Sequence, residues 1–196
     1  MVGAWNPRIF TADWLSNNVF RVANVGVEVP TNPGFPYRFT ANNVQIVPSA
    51  SRVVFTPSLF DDATLNEMER QAIALLEALP HTPLAGVGTN FGFIEPEPNP
   101  DLLHHFDLSD TGEIAVAGYA VTATVINRTL SWDGGSMNFT LSLQNNRVLA
   151  DFNLHRAVAN CTQAAASLLG SIVQDANRAR TFLQQAYAFN LTAEVA

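Results

Sequence analysis

Two stretches of this chain carry residues whose type and spacing can do chemistry, and neither spells a catalytic signature. In the first, Gly86, Gly88, Asn90 and Gly92 alternate with Val87, Thr89, Phe91 and Phe93. On a strand that alternation fills one face and leaves the other almost bare. A bare face admits a flat ligand or an extended peptide closely, with Asn90 as the polar contact, so these four are the candidate ligand-binding residues. The plainer use of the same face is packing, with Ala164, Ala165 and Ala166 of a later helix laid against the smooth backbone. The glycines are not a dinucleotide fingerprint: the third comes one residue late and no helix opens at it.

The second stretch is acidic. Glu95, Glu97, Asp101, Asp107, Asp110 and Glu113 surround His104 and His105 with no basic residue among them. Were Leu103 to Leu108 extended, His105 and Asp107 would point the same way, which makes them the candidate metal ligands. A closed site needs about four donors, and no further ligands announce themselves; a solvated acidic loop is the competing reading.

Nucleophilic catalysis needs a Cys or Ser, a base and an orienting group within reach. Cys161, the single cysteine, falls on an apolar helical stripe and reads as a buried thiol. His155 precedes it by six residues, on another side of a helix, and His81 suits a helix C-terminus. No Gly-x-Ser-x-Gly elbow or His-Glu-x-x-His motif occurs. All ten basic residues are arginine, so lysine Schiff-base chemistry and a P-loop lysine are excluded within this chain. No cofactor is implied.

Composition narrows the partners. The net charge is −7, and the arginines are scattered apart from Arg178 and Arg180, so no basic patch offers itself to nucleic acid. Charged residues make up only 14% of 196, which leaves a neutral surface prone to self-association. A homo-oligomer is therefore expected, with a protein or peptide as the other kind of partner. No apolar run reaches the roughly 18 residues a membrane helix needs, and no charged start precedes a hydrophobic run. With one cysteine there is no internal disulfide. Asn-x-Thr triplets begin at Asn127, Asn138, Asn160 and Asn190, as chance allows in a chain rich in both residues. A cytoplasmic protein is expected.

The elements that must position these residues are read from periodicity. Met137, Phe139, Leu141 and Leu143 alternate with polar residues, Asn145-Asn146 supplies a two-residue turn, and Val148, Ala150, Phe152 and Leu154 resume the alternation. In that register Leu143 faces Val148, Leu141 faces Ala150, Phe139 faces Phe152 and Met137 faces Leu154, so a slip of one residue would undo every match. Further strands are predicted at Val19–Val29, Tyr37–Val47, Arg52–Thr56, Leu84–Ile94 and Ile114–Ile126, the last a central strand running on to Trp132 with a bulge near Asn127. Turns are predicted at Pro30–Pro36 and Asp133–Gly135. A helix is predicted over Asp61–Leu79, capped by the Thr64–Glu67 box or by Asp61 or Asp62. A second runs from after His155 to about Phe189, with Gly170 as its weak point.

These elements make residues 1–196 a single α+β domain, with an aromatic arm over residues 1–17. Its expected form is an antiparallel sheet of about seven strands with two long α-helices on one face. The expected function is a non-catalytic binding or assembly module acting as a homo-oligomer. The alternative is a small metal-assisted, hydrolase-like enzyme using the His104/His105/Asp107 loop.

Overall fold

A computed structural model describes residues 1–32, 34–132 and 134–191. Pro33 and Asp133, each within a predicted turn, lie outside the described residues. The fold is α+β with antiparallel sheets. The described chain clusters into two compact units: Met1–Gly88 with His155–Gln174, and Thr89–Leu154 with residues 175–191.

The first unit opens with β1 (Val2–Gly3), a 3-10 turn (Pro7–Ile9) and α1 (Ala12–Leu15), which a π turn continues through Ser16–Phe20. The Thr11 hydroxyl caps α1 by accepting the Trp14 N–H at 3.2 Å. The strand expected over Val19–Val29 shrinks to β2 (Gly26–Glu28). Leu15, Val19 and Phe20 are fully buried at helical spacing, so the capped helix claims the start of that run.

Strands β3 (Arg38–Ala41), β4 (Val44–Pro48) and β5 (Val53–Pro57) complete a four-stranded sheet in the order β2-β3-β4-β5. The single strand expected over Tyr37–Val47 is thus a hairpin. Asn42 and Asn43 turn it with φ of 51° and 60°, conformations asparagine tolerates. Helix α2 (Asp62–Ala78) is capped by Asp61, whose carboxylate accepts the Thr64 N–H at 2.7 Å. It buries Leu65, Met68, Ala72, Leu75 and Leu76.

Strand β6 (Leu84–Glu95) runs from the first unit into the second. There follow α3 (Pro100–His104), α4 (Thr111–Val116), β7 (Thr124–Trp132), β8 (Gly135–Gln144) and β9 (Arg147–Ala157). The five-stranded sheet has the order β1-β6-β9-β8-β7, so the 136–154 hairpin occupies its centre. Asn145 and Asn146 make the turn with φ of 50° and 62°, and the Phe139 and Phe152 rings sit 4.9 Å apart, as the expected register requires. The central strand expected over Ile114–Ile126 is not there. Its first half is α4, closed by Gly118 at φ +87°, and only residues 124–126 of the rest belong to β7 at the sheet edge. Nor is there a bulge near Asn127. The β7–β8 register is continuous from Thr124↔Leu143 to Trp132↔Gly135, and an edge position lets Arg128 reach solvent without one.

The expected second helix is two, α5 (Cys161–Leu168) and α6 (Ser171–Tyr187). Gly170, at φ +71°, breaks them, and Glu69 of α2 accepts the Gly170 and Ile172 N–H groups at 2.7 and 3.0 Å. In the second unit, Phe182 and Tyr187 of α6 close over the hairpin's apolar face, 5.2 and 5.3 Å from the Phe139 ring. The described residues therefore hold nine strands in two sheets, not one sheet of about seven, and six α-helices, of which α2 and α6 span 17 residues each. No helix among the described residues is long and apolar enough to cross a membrane.

A candidate ligand-binding groove on the polar sheet face

The pleat of β6 sorts its residues as its alternation predicts: Val87, Thr89, Phe91 and Phe93 are buried, while Asn90 and Gly92 are exposed. The four predicted ligand residues then part company. Gly86 is covered, because a Cβ there would run into the His155 imidazole. The atoms nearest that position belong to His155 and Arg156, not to the Ala164–Ala166 stretch. Gly88 is half-buried.

Asn90 and Gly92 open onto a shallow groove of about 340 Å³, ringed by Asn138, Thr140, Asp151 and Asn153. These four come from the polar face of the hairpin, opposite the aromatic cluster. Gly92 leaves room beside Asp151: a Cβ there would lie 3.4 Å from Asp151 Oδ1, in ordinary contact with the carboxylate.

Hydrogen bonds order the rest of this face. Asn153 Nδ2 donates to Asn90 Oδ1 at 2.6 Å, between β9 and β6. The Thr129 hydroxyl donates to Asn138 Oδ1 at 3.0 Å, and the Thr140 hydroxyl to Asn127 Oδ1 at 2.8 Å, between β7 and β8. Each carboxamide is thereby oriented in advance. Asp151 is the one ionised side chain lining the groove among the described residues.

The acidic stretch is arranged differently from the expectation. Leu103 to Leu108 is not extended: Asn99 caps α3 by accepting the Leu102 N–H at 2.8 Å, and helical spacing brings positions three apart together. His104 Nδ1 meets Asp107 Oδ2 at 3.0 Å, with both side chains exposed, while the His105 ring packs edge-on against Tyr187 at 5.0 Å. Among the described residues, no group of three or more His, Cys, Asp or Glu side chains is gathered closely enough to hold a metal ion.

Cys161 is buried, and its thiol donates towards the Leu79 and Thr82 carbonyls at 3.2 and 3.4 Å. Burial pushes its pKa up, which keeps it protonated. A second hollow, of about 310 Å³ in the first unit, is lined mainly by Pro7, Phe35, Pro36, Tyr37 and Phe39.

Sequence reasoning missed Asn138, Thr140, Asp151 and Asn153 as site residues. The signal was present in the hairpin: the register that pairs Phe139 with Phe152 also sets Asn138 opposite Asn153 and Thr140 opposite Asp151. That β6 lies beside β9 was not readable. No protein family is matched by the sequence, and no curated protein or solved structure is significantly similar to it.

Proposed function

We propose that this protein is a non-catalytic binding module, acting as a homo-oligomer in the cytoplasm, and that the groove beside Gly92 holds its ligand. The observation that carries the reading is the make-up of that groove. Three carboxamides, one hydroxyl and one carboxylate converge on it, and the hydroxyl proton goes to Asn127 and not to the carboxylate. Such groups hold and orient a small polar molecule, whereas acid–base or nucleophilic catalysis needs a second poised group.

The homo-oligomeric half rests on β7. This nine-residue strand ends its sheet, carries no lysine, exposes Val125 and follows the exposed Val116, Tyr119 and Val121. An edge of that kind invites a second copy to continue the sheet. The buried, protonated thiol of Cys161 suits a reducing compartment.

An NMR screen of a small-molecule fragment library against ¹⁵N-labelled protein tests the binding half. Hits should perturb the amides of Asn90, Gly92, Asn138, Asp151 and Asn153. Hits that gather elsewhere and leave these unmoved would overturn it. A second reading, the metal-assisted hydrolase, is favoured by the 3.0 Å His104–Asp107 contact on an exposed turn. Untagged protein should carry less than about 0.2 equivalents of transition metal, since a closed site takes about four donors; a stoichiometric metal lost in His104→Ala or His105→Ala would reverse the ranking.

A further inference from the structure

We infer that the ligand of this groove is a saccharide, bound through adjacent hydroxyl groups. The inference rests on the groove being the binding site and adds the chemical class. It follows from which hydrogen-bonding valences the sheet has already used. Asn90 Oδ1 already accepts from Asn153, so Asn90 offers its N–H groups as donors with one lone pair remaining, and Asn153 Oδ1 is open as an acceptor. Asn138 Oδ1 already accepts from Thr129, so Asn138 offers its N–H groups as donors with one lone pair remaining. The Thr140 proton goes to Asn127, so its oxygen is left to accept. Asp151 has no hydrogen-bond partner among the described residues and accepts through both oxygens.

The surface left over mixes donors with acceptors, one of them charged, at fixed positions. A hydroxyl both donates and accepts, so neighbouring hydroxyls on a sugar ring can satisfy such a set. Ligands that only donate, only accept or do neither cannot. A phosphate or sulfate wants donors alone and would meet the Asp151 carboxylate with no Arg lining the groove. A cation wants acceptors alone and would face the Asn90 and Asn138 N–H groups. An apolar ligand would strand every one of these groups without water. A peptide strand laid on a sheet face turns its side chains towards that face, not its backbone groups. Gly92 provides the room for a ring beside the carboxylate.

The test titrates ¹⁵N-labelled full-length protein with methyl α-mannoside, methyl β-galactoside, maltose and cellobiose up to tens of millimolar, a range set by the modest affinity of ligands this small. Spermidine, calcium chloride and N-acetylalanine methylamide are titrated alongside. At least one sugar should give saturable shifts at Asn90, Gly92, Asn138, Asp151 and Asn153. Asp151→Asn should weaken that sugar about tenfold, as loss of a charged acceptor does, and Gly92→Val should abolish binding. Both variants must keep the wild-type spectrum elsewhere, and Asp151 is exposed, so its replacement tests binding and not folding. Shifts in the groove from spermidine, calcium or the peptide amide, with none from any sugar, would overturn the saccharide assignment and leave the groove as the site. A groove silent to these probes and to the fragment library would overturn both.

Discussion

Glu67 is where the first unit should be most sensitive to acid. Its carboxylate accepts from Arg70 Nη2 and Nε at 2.6 and 2.7 Å, and from the Asn42 and Gln71 side chains at 2.9 Å each. Arg70 in turn donates to the Val19 and Phe20 carbonyls at 3.3 and 3.1 Å. One carboxylate thus ties α2 to the β3–β4 turn and to the end of the π turn. The Arg70 hydrogen bonds above all, helped by those from Asn42 and Gln71 and opposed by burial, lower its pKa from 4.5 to about 2.

A carboxylate held down in this way contributes stability that is fully present above its unfolded value and is lost as pH falls towards the folded one. At full strength the shift is worth roughly 3 kcal/mol. Solvent reaches the pair, with the Arg70 side chain 38% exposed, so about 1–2 kcal/mol is expected. Glu67→Gln keeps the shape and removes the charge. Urea unfolding at pH 7 should find the variant weaker by that amount. Repeated downwards from pH 5, the gap should close between pH 4.5 and about 2, because the wild type surrenders the same contribution. A gap that stays constant over that range, or one below about 0.3 kcal/mol at pH 7, would refute the reasoning.

Phe139, 1% exposed among the Phe152, Phe182 and Tyr187 rings, should cost about 3–5 kcal/mol as Phe139→Ala; a loss under 1 kcal/mol in urea unfolding would show that this face is not core. Glu69→Ala strands the Gly170 and Ile172 N–H groups and should cost about 2–3 kcal/mol in the same assay. Asn146→Val, at φ 62°, should cost about 1–2 kcal/mol, and Asn146→Gly should be neutral or stabilising in thermal melts. Val125→Lys on the exposed edge should weaken the proposed self-association in sedimentation velocity, and a wild type that sediments as a clean monomer at micromolar concentration would remove the assembly argument.

Local chemistry was readable where neighbouring residues alone supply the energy. The Asn145-Asn146 hairpin, the capped helix α2 and the break at Gly170 each depend on a turn, a cap or a period within a few residues. The same asparagine pair at Asn42-Asn43 was overlooked inside a longer apolar run, although it turns β3 into β4 by identical physics. The apolar run from Ile114 misled because burial on two faces and exposure at an edge read alike without a partner. Gly118, at φ +87°, was the residue that could have marked the end of α4.

For the candidate groove, the alternation of β6 by itself determined that Asn90 and Gly92 share a face, and the hairpin register determined that Asn138, Thr140, Asp151 and Asn153 share another. Only the tertiary structure decided that the two faces are one surface. That decision belongs to the pairing of β6 with β9, strands some fifty residues apart in the chain, whose backbone hydrogen bonds leave no periodic trace in either strand. The same long-range pairing decided that the Asn90 carboxamide oxygen is already bonded, by Asn153.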